Sequence, residues 1–225
     1  MTYVSVNTKK AKDGSYEFTQ RTLLNSIIED VGLKDAQVKT VPAKVSLRLQ
    51  AFKDELPFNL TFNYRSAVSK LNNSVQTTRP DIMHATHQVA KYSLDPRQSH
   101  GEAILYLVCY LKKTRNVGLK FMPDPTQVFE SYCDSDFSGL WNKEFTPVDP
   151  STTKSRSGWI FFYAGCPVCW ASKLQPQVAL STTEAEYIAM SQALRDIIPV
   201  MNLLQEMREQ DFQVICNEPY ILQGI

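Results

Sequence analysis

The sequence predicts a mixed α/β protein of the α+β kind: a helical front region, then a smaller region of three antiparallel strands and one long helix. Three observations carry this. Between residues 20 and 114, apolar residues recur three and four apart in four separate runs, the spacing of one helix face. Behind them lie three β-prone runs, at 128–135, 158–163 and 167–172, the last two joined by a tight Ala164-Gly-Cys166 connection. Then Ser181-Thr-Thr-Glu184 opens a helical run that reaches about residue 210. Pro123-Asp-Pro125 separates the two parts, so the expected domains are 1–124 and 125–225.

The front region starts with a predicted hairpin. Tyr3-Val-Ser-Val6 and Ser15-Tyr-Glu-Phe-Thr19 flank Lys12-Asp-Gly14, a turn signal. A first helix over about 20–31 would bury Leu23, Leu24, Ile27, Ile28 and Val31, with Gly32 ending it. Residues 33–61, broken by Pro42 and Pro57, read as loop. A second helix would bury Tyr64, Val68, Leu71 and Val75. A third would start at Thr78-Arg-Pro80-Asp81, where Thr78 can cap and Pro80 needs no N–H partner, and would bury Ile82, Ala85, Val89 and Tyr92. A fourth would start at Ser99-His-Gly-Glu102, a capping-box pattern, and bury Ala103, Ile104, Leu107, Val108 and Leu111. Gly118-Leu-Lys-Phe121 reads as a short strand, and 138–155 as a polar loop. The long helix is expected to bury Tyr187, Ile188, Ser191, Leu194 and Ile198, and Pro199 to interrupt it.

Hydrophobic residues make up 43% and charged residues 21%, which fits a globular chain rather than a disordered one. The net charge of +1 hides an asymmetry: +7 over 1–127 and −6 over 128–225. A basic front suits a polyanionic partner, and an acidic back suits a metal site. Five scattered cysteines make no disulfide framework, so a reducing compartment is expected. The lone Cys166-Pro-Val-Cys169 reads as strand and turn cysteines. His84 and His87 lack a third ligand nearby. The longest apolar run, 103–111, falls short of the roughly twenty residues of a membrane span. With no signal-peptide pattern either, no membrane partner is expected, and the predicted location is intracellular, cytoplasm or nucleus.

The acids carry the chemistry. Cutting a phosphodiester without a covalent intermediate needs an activated water and a stabilised leaving oxygen, which two Mg²⁺ about 3.5–4 Å apart supply. Mg²⁺ is held by carboxylates from different elements and by water. Asp134 at a strand end and Glu184 at a helix start can supply two ligands, and strand alternation puts Asp136 on the side of Asp134. Ser181-x-x-Glu184 is equally a capping box that needs no metal.

Several ordered motifs resemble one family. Gly14-Ser-Tyr-Glu-Phe-Thr-Gln20, Tyr64-Arg-Ser-Ala-Val68, Thr78-Arg-Pro-Asp-Ile82, Tyr110-Leu-Lys-Lys-Thr114 and Gly118-Leu119 resemble the end of a reverse transcriptase and the thumb or connection region behind it. Tyr132-Cys-Asp134-Ser-Asp136-Phe137, Ser155-Arg-Ser-Gly-Trp159, Trp170-Ala-Ser-Lys173 and Ala179-Leu-Ser-Thr-Thr-Glu184-Ala-Glu186-Tyr187 resemble its RNase H domain. From about residue 2 to 220 the chain is similar to the C-terminal part of the Pol polyprotein of copia-type retrotransposons.

The resemblance implies a thumb/connection-like region followed by an RNase H-like domain that cuts RNA in RNA–DNA hybrids with two Mg²⁺. It implies Asp134 and Glu184 as catalytic carboxylates, metal held by Asp134, Glu184 and Asp136, and Glu186 in a supporting place. Hybrid contacts would come from Arg156, Lys173 and Gln175, with Lys112 and Lys113 as further phosphate contacts, gripping backbone and 2′-hydroxyls. The sequence departs from the pattern in three places. No Asp-Asn pair supplies the third carboxylate, no Tyr-x-Asp-Asp polymerase run is present, and Ser69 and Asn73 replace an expected Gly and aromatic. The resemblance thus implies a copy truncated before the fourth strand, with weak Mg²⁺ binding and slight or no cleavage alone. Two further readings stand beside it: completion of the site by other Pol chains, and a non-enzymatic nucleic-acid-binding remnant using the basic front half.

Overall fold

The computed structural model describes residues 2–3, 5–44, 49, 55–127, 129–144, 146–147, 149–208 and 214–216. Predicted strand positions Val4 and Val128, parts of the two predicted loops, helical positions 209–210 and the stretch 217–225 lie outside the described residues. The chain divides into two compact units, Met1–Lys120 and Phe121–Ile225.

In the first unit β1 (Thr2–Tyr3), β2 (Val6–Lys10), β3 (Tyr16–Thr19) and β4 (Leu119–Phe121) form a sheet in chain order. The predicted hairpin exists, but its first arm is β2 rather than residues 3–6. Asn7 pairs with Thr19 and Lys10 with Tyr16. Ser5, at φ 67°, turns the chain between β1 and β2. The polar run Asn7-Thr-Lys-Lys10 lacks the apolar alternation that betrays a strand, so sequence pattern missed it. Gly14 takes φ 86°, the left-handed backbone the predicted turn needs.

Four helices follow: α1 (Arg21–Asp30), α2 (Tyr64–Thr77), α3 (Met83–Ala90) and α4 (Gln98–Lys113). The faces read from spacing are the buried ones. Leu24, Ile27 and Ile28, then Val68, Leu71 and Val75, then Ile82 and Val89, then Ile104, Leu107, Val108 and Leu111 are all buried. Two helix starts differ from expectation. The Thr78 hydroxyl donates to Gln20 Oε1 at 2.9 Å instead of capping, and Pro80–Ile82 form a 3-10 turn, so α3 begins at Met83. At α4, Ser99 N and Oγ donate to the Glu55 carboxylate at 2.5 and 2.8 Å, and Arg97 N donates to His100 Nδ1 at 2.9 Å. An acid remote in sequence satisfies this helix end, in place of the predicted Ser99–Glu102 pair.

The second unit holds β5 (Phe129–Asp136), β6 (Arg156–Tyr163), β7 (Cys166–Leu174), α5 (Thr182–Arg208) and β8 (Val214–Cys216). The sheet order is β7-β6-β5-β8. The first three strands are antiparallel as expected; β8 runs parallel to β5, Phe129 facing Val214 and Ser131 facing Cys216. The expected three-stranded sheet therefore gains a fourth strand. Val-Ile-Cys is too short a run to announce itself by period.

The β6–β7 turn places Ala164 at φ 49° and Gly165 at φ 73°. Two successive left-handed residues make the turn that matches strand twist, and glycine is the residue suited to them. Ala164→Gly is expected to raise the stability of this unit by about 0.5–1 kcal/mol, measured by chemical denaturation.

The long helix corrects two expectations. Its buried residues are Ala185, Ala189, Ala193 and Ile197, while Tyr187, Leu194 and Ile198 are exposed. Small side chains let the helix lie close to a sheet face already filled by Phe129, Trp159 and Phe161. Spacing alone cannot choose between two apolar stripes on one helix, and the bulkier stripe drew the reading. Pro199 does not interrupt the helix. It removes one N–H bond to the Arg195 carbonyl, but both residues are exposed, so water can take that acceptor.

Candidate functional site

β5 alternates. Phe129 and Cys133 pack with Ala193 and Ile197 of α5, so the even-numbered residues face away from the helix. Tyr132 meets Phe162 edge-on at 5.9 Å on that open face, and its hydroxyl donates to Glu130 at 3.1 Å. Asp134 and Asp136 share this face, and both are exposed. Asp134 stands opposite Gly158, which has no side chain, and Asp136 stands opposite Arg156. The Asp136 carboxylate also lies against the α-carbon of Gly139, where a Cβ would collide with it.

β8 pairs with β5 only from Phe129 to Ser131. Among the described residues, the acid-bearing half of β5, from Tyr132 to Asp136, is bonded only on its β6 side. Two exposed carboxylates, one of them across from a glycine, thus stand together on this face.

The helix acids lie elsewhere. Glu184 Oε2 accepts from Leu180 N at 2.7 Å, and Glu184 N donates to Ser181 Oγ at 3.1 Å. Ser181 thus caps the helix as the sequence offered, while the Glu184 carboxylate reaches one residue further back, to Leu180 N rather than Ser181 N. Glu186 is different. At about 100° per residue it falls in line with Ala189, Ala193 and Ile197, the stripe that meets the sheet. The sequence signal was present, since 186, 189, 193 and 197 follow helical spacing, but the bulkier stripe masked it. Among the described residues no three His, Cys, Asp or Glu are gathered as a cation needs. The strand acids lie on the sheet face away from α5.

The residues predicted to contact nucleic acid are divided between the two units, and in the second unit they differ in exposure. Arg156 is on the open face, its Nη1 within 3.4 Å of Ser172 O. Burial pushes this guanidinium down from its ordinary value, and the Asp136 charge opposes that. Lys173 is exposed but tied to α5, with Nζ 3.2 Å from Asp196 Oδ2 and 4.9 Å from the Trp159 ring centroid. Gln175 is buried, its Nε2 donating to Ser157 Oγ at 3.0 Å and Ala185 O at 2.9 Å. It clamps the start of α5 onto β6, which corrects its reading as a surface contact. In the first unit Lys112 Nζ donates to the carbonyls of Lys34 and Ala36 and staples a loop. Its neighbour Lys113 is exposed.

Relatives decide the ancestry. The chain is 32% identical over 207 residues to the retrovirus-related Pol polyprotein from transposon TNT 1-94 of Nicotiana tabacum, covering 88% of this chain and 15% of that one. It is 25% identical over 205 residues to the Pol polyprotein from transposon RE1 of Arabidopsis thaliana, covering 91% of this chain and 13% of the other. The chain is a homologue of the copia-type retrotransposon Pol polyproteins. This segment is also 34% identical over 135 residues to secreted RxLR effector protein 161 of Plasmopara viticola, covering 60% of the segment and 89% of that protein. The segment spans 15% or less of the two Pol polyproteins named here. No family model matches it, and no solved structure matches it.

Proposed function

We propose that the second unit is the RNase H-type module of a Pol chain, with Asp134 as its principal carboxylate, and that it engages RNA–DNA hybrid with slight cleavage alone. The observation that carries the reading is the order β7-β6-β5-β8, with Asp134 on the inner strand β5, exposed and opposite Gly158. Asp136 and Arg156 stand beside it on the same face. Glu184 holds Leu180 N in its cap, and Glu186 lies on the stripe of α5 that meets the other face of the sheet, so neither is assigned a place beside Asp134. Among the described residues the carboxylates do not fit a two-magnesium site, so no metal-borne step is assigned to them.

The test is a hybrid-cleavage assay in Mg²⁺ with hybrid binding measured in parallel. The expected result is slow cleavage that disappears in Asp134→Asn, with binding kept. Vigorous turnover, or turnover indifferent to Asp134→Asn, would overturn the reading.

A second reading, nucleic-acid binding without catalysis, is favoured by two open hollows in the first unit. One, of about 560 Å³, is lined wholly by polar side chains, including Lys9, Arg21 and Asn116. The other, of about 350 Å³, holds Lys34, Lys112 and Arg115, and both share Asn25. Under this reading affinity falls steeply with salt as phosphate contacts release counterions, and Arg21→Ala flattens the slope. A salt-independent affinity would rule it out.

A further inference from the structure

The outer face of α5 is built backwards for a solvent-facing surface. Alanines face the sheet, and large apolar side chains face out: Tyr187 is 65% exposed, Met190 41%, Leu194 38% and Ile198 50%. They sit at i, i+3, i+7 and i+11, a continuous stripe along three turns. Burying apolar side chains drives association, so leaving four of them partly in water forgoes a large driving force.

We propose that this stripe is covered by the α5 of a second copy of the chain, the two helices lying antiparallel about a twofold axis. Charge points to this occupant. Glu184 and Arg195 are eleven residues apart and flank the stripe on one edge. Arg195 is exposed, and no ion pair to it is found among the described residues. In an antiparallel pair centred near Ala189 and Met190, Glu184 of each copy, whose Oε1 takes no part in the cap, opposes Arg195 of the other, so one operation brings a carboxylate to both guanidiniums. Area sets the strength. Four partly exposed side chains per copy bury on the order of 800–1,000 Å² in total, the range of weak, reversible contacts. The dimer is therefore expected to dissociate at micromolar concentration.

Sedimentation equilibrium of the intact chain tests this over about 1–300 μM, a span that brackets micromolar dissociation constants. The mass should climb from 25.6 kDa toward twice that value. Leu194→Glu should hold the chain monomeric with an unchanged circular-dichroism melt. Arg195→Glu should weaken dimerisation about tenfold, and the swap Glu184→Arg with Arg195→Glu should recover most of that. A monomer at every concentration would overturn the proposal. So would a dimer that survives Leu194→Glu, or a swap that fails to recover while its melt shows a folded chain.

Discussion

Replacing Arg79 with alanine is expected to cost the first unit about 2–3 kcal/mol, because it leaves a partly exposed carboxylate and two further acceptors without their donor. The Arg79 side chain is 1% exposed. Its Nε and Nη2 donate to Asp81 Oδ1 and Oδ2 at 2.8 and 2.7 Å. Its Nη1 and Nη2 also donate to Thr114 O and Oγ1 at 3.1 and 2.7 Å, which ties the 3-10 turn before α3 to the end of α4. The guanidinium lies 5.7 Å from the Tyr110 ring centroid, and the Tyr110 hydroxyl donates to Asp81 at 2.8 Å. Deleting Arg79 strands a half-buried carboxylate and two Thr114 acceptors at once.

The same cluster sets an acid dependence. Burial pushes the Asp81 carboxyl up, but the Arg79 bonds and charge, with the Tyr110 hydroxyl, pull it further down, leaving it below its ordinary 3.8. A lowered carboxyl gives stability that is present above 3.8 and is lost as the pH falls below it. Without Arg79 burial dominates, the carboxyl rises, and the loss of stability in acid that Asp81 contributes disappears or reverses. Denaturant titrations of the intact chain across the acid range check both points. A loss under about 1 kcal/mol would mean the cluster is dispensable.

Ala193→Leu is expected to destabilise the second unit by about 1–3 kcal/mol, because added methylenes have no room between α5 and the sheet. Ala193 is 3% exposed and packs with Phe129, Trp159, Phe161 and Ile197. Its neighbour makes the contrast. Leu194→Ala, on the outer stripe, should change the stability of the dilute monomer by less than about 0.5 kcal/mol. Had the bulkier stripe faced the sheet, Leu194→Ala would cost about 2–5 kcal/mol instead. Thermal or denaturant melts of the two variants decide which stripe packs.

What the sequence made legible follows from how local each signal is. The buried faces of α1, α2 and α4 could be read because each helix carries one apolar stripe. On α5 there are two, and period gives a stripe without saying which neighbour it meets. The β6–β7 hairpin was readable from Ala164-Gly-Cys166, whereas β2 hid behind Lys9 and Lys10 and β8 behind its length of three residues. At the candidate site, alternation gave the shared face of Asp134 and Asp136, and the Ser181–Glu184 cap was readable from four residues. Which face α5 covers is a tertiary fact. It depends on whether odd or even residues of β5 meet the alanines, and no local pattern states that. Gln175 stood among the hybrid contacts on the resemblance alone, and no local pattern marks it as buried. Its partners, Ser157 and Ala185, are brought to it only by the fold.

The placement of the strand acids on the face away from α5 is tested most directly by a residue-resolved magnesium titration of the intact chain, following the signals of Asp134, Asp136, Glu184 and Glu186. The expected result is a weak response, on the order of millimolar, confined to Asp134 and Asp136, with Glu184 unmoved in its cap. Tight binding in which Glu184 responds together with Asp134 would contradict it.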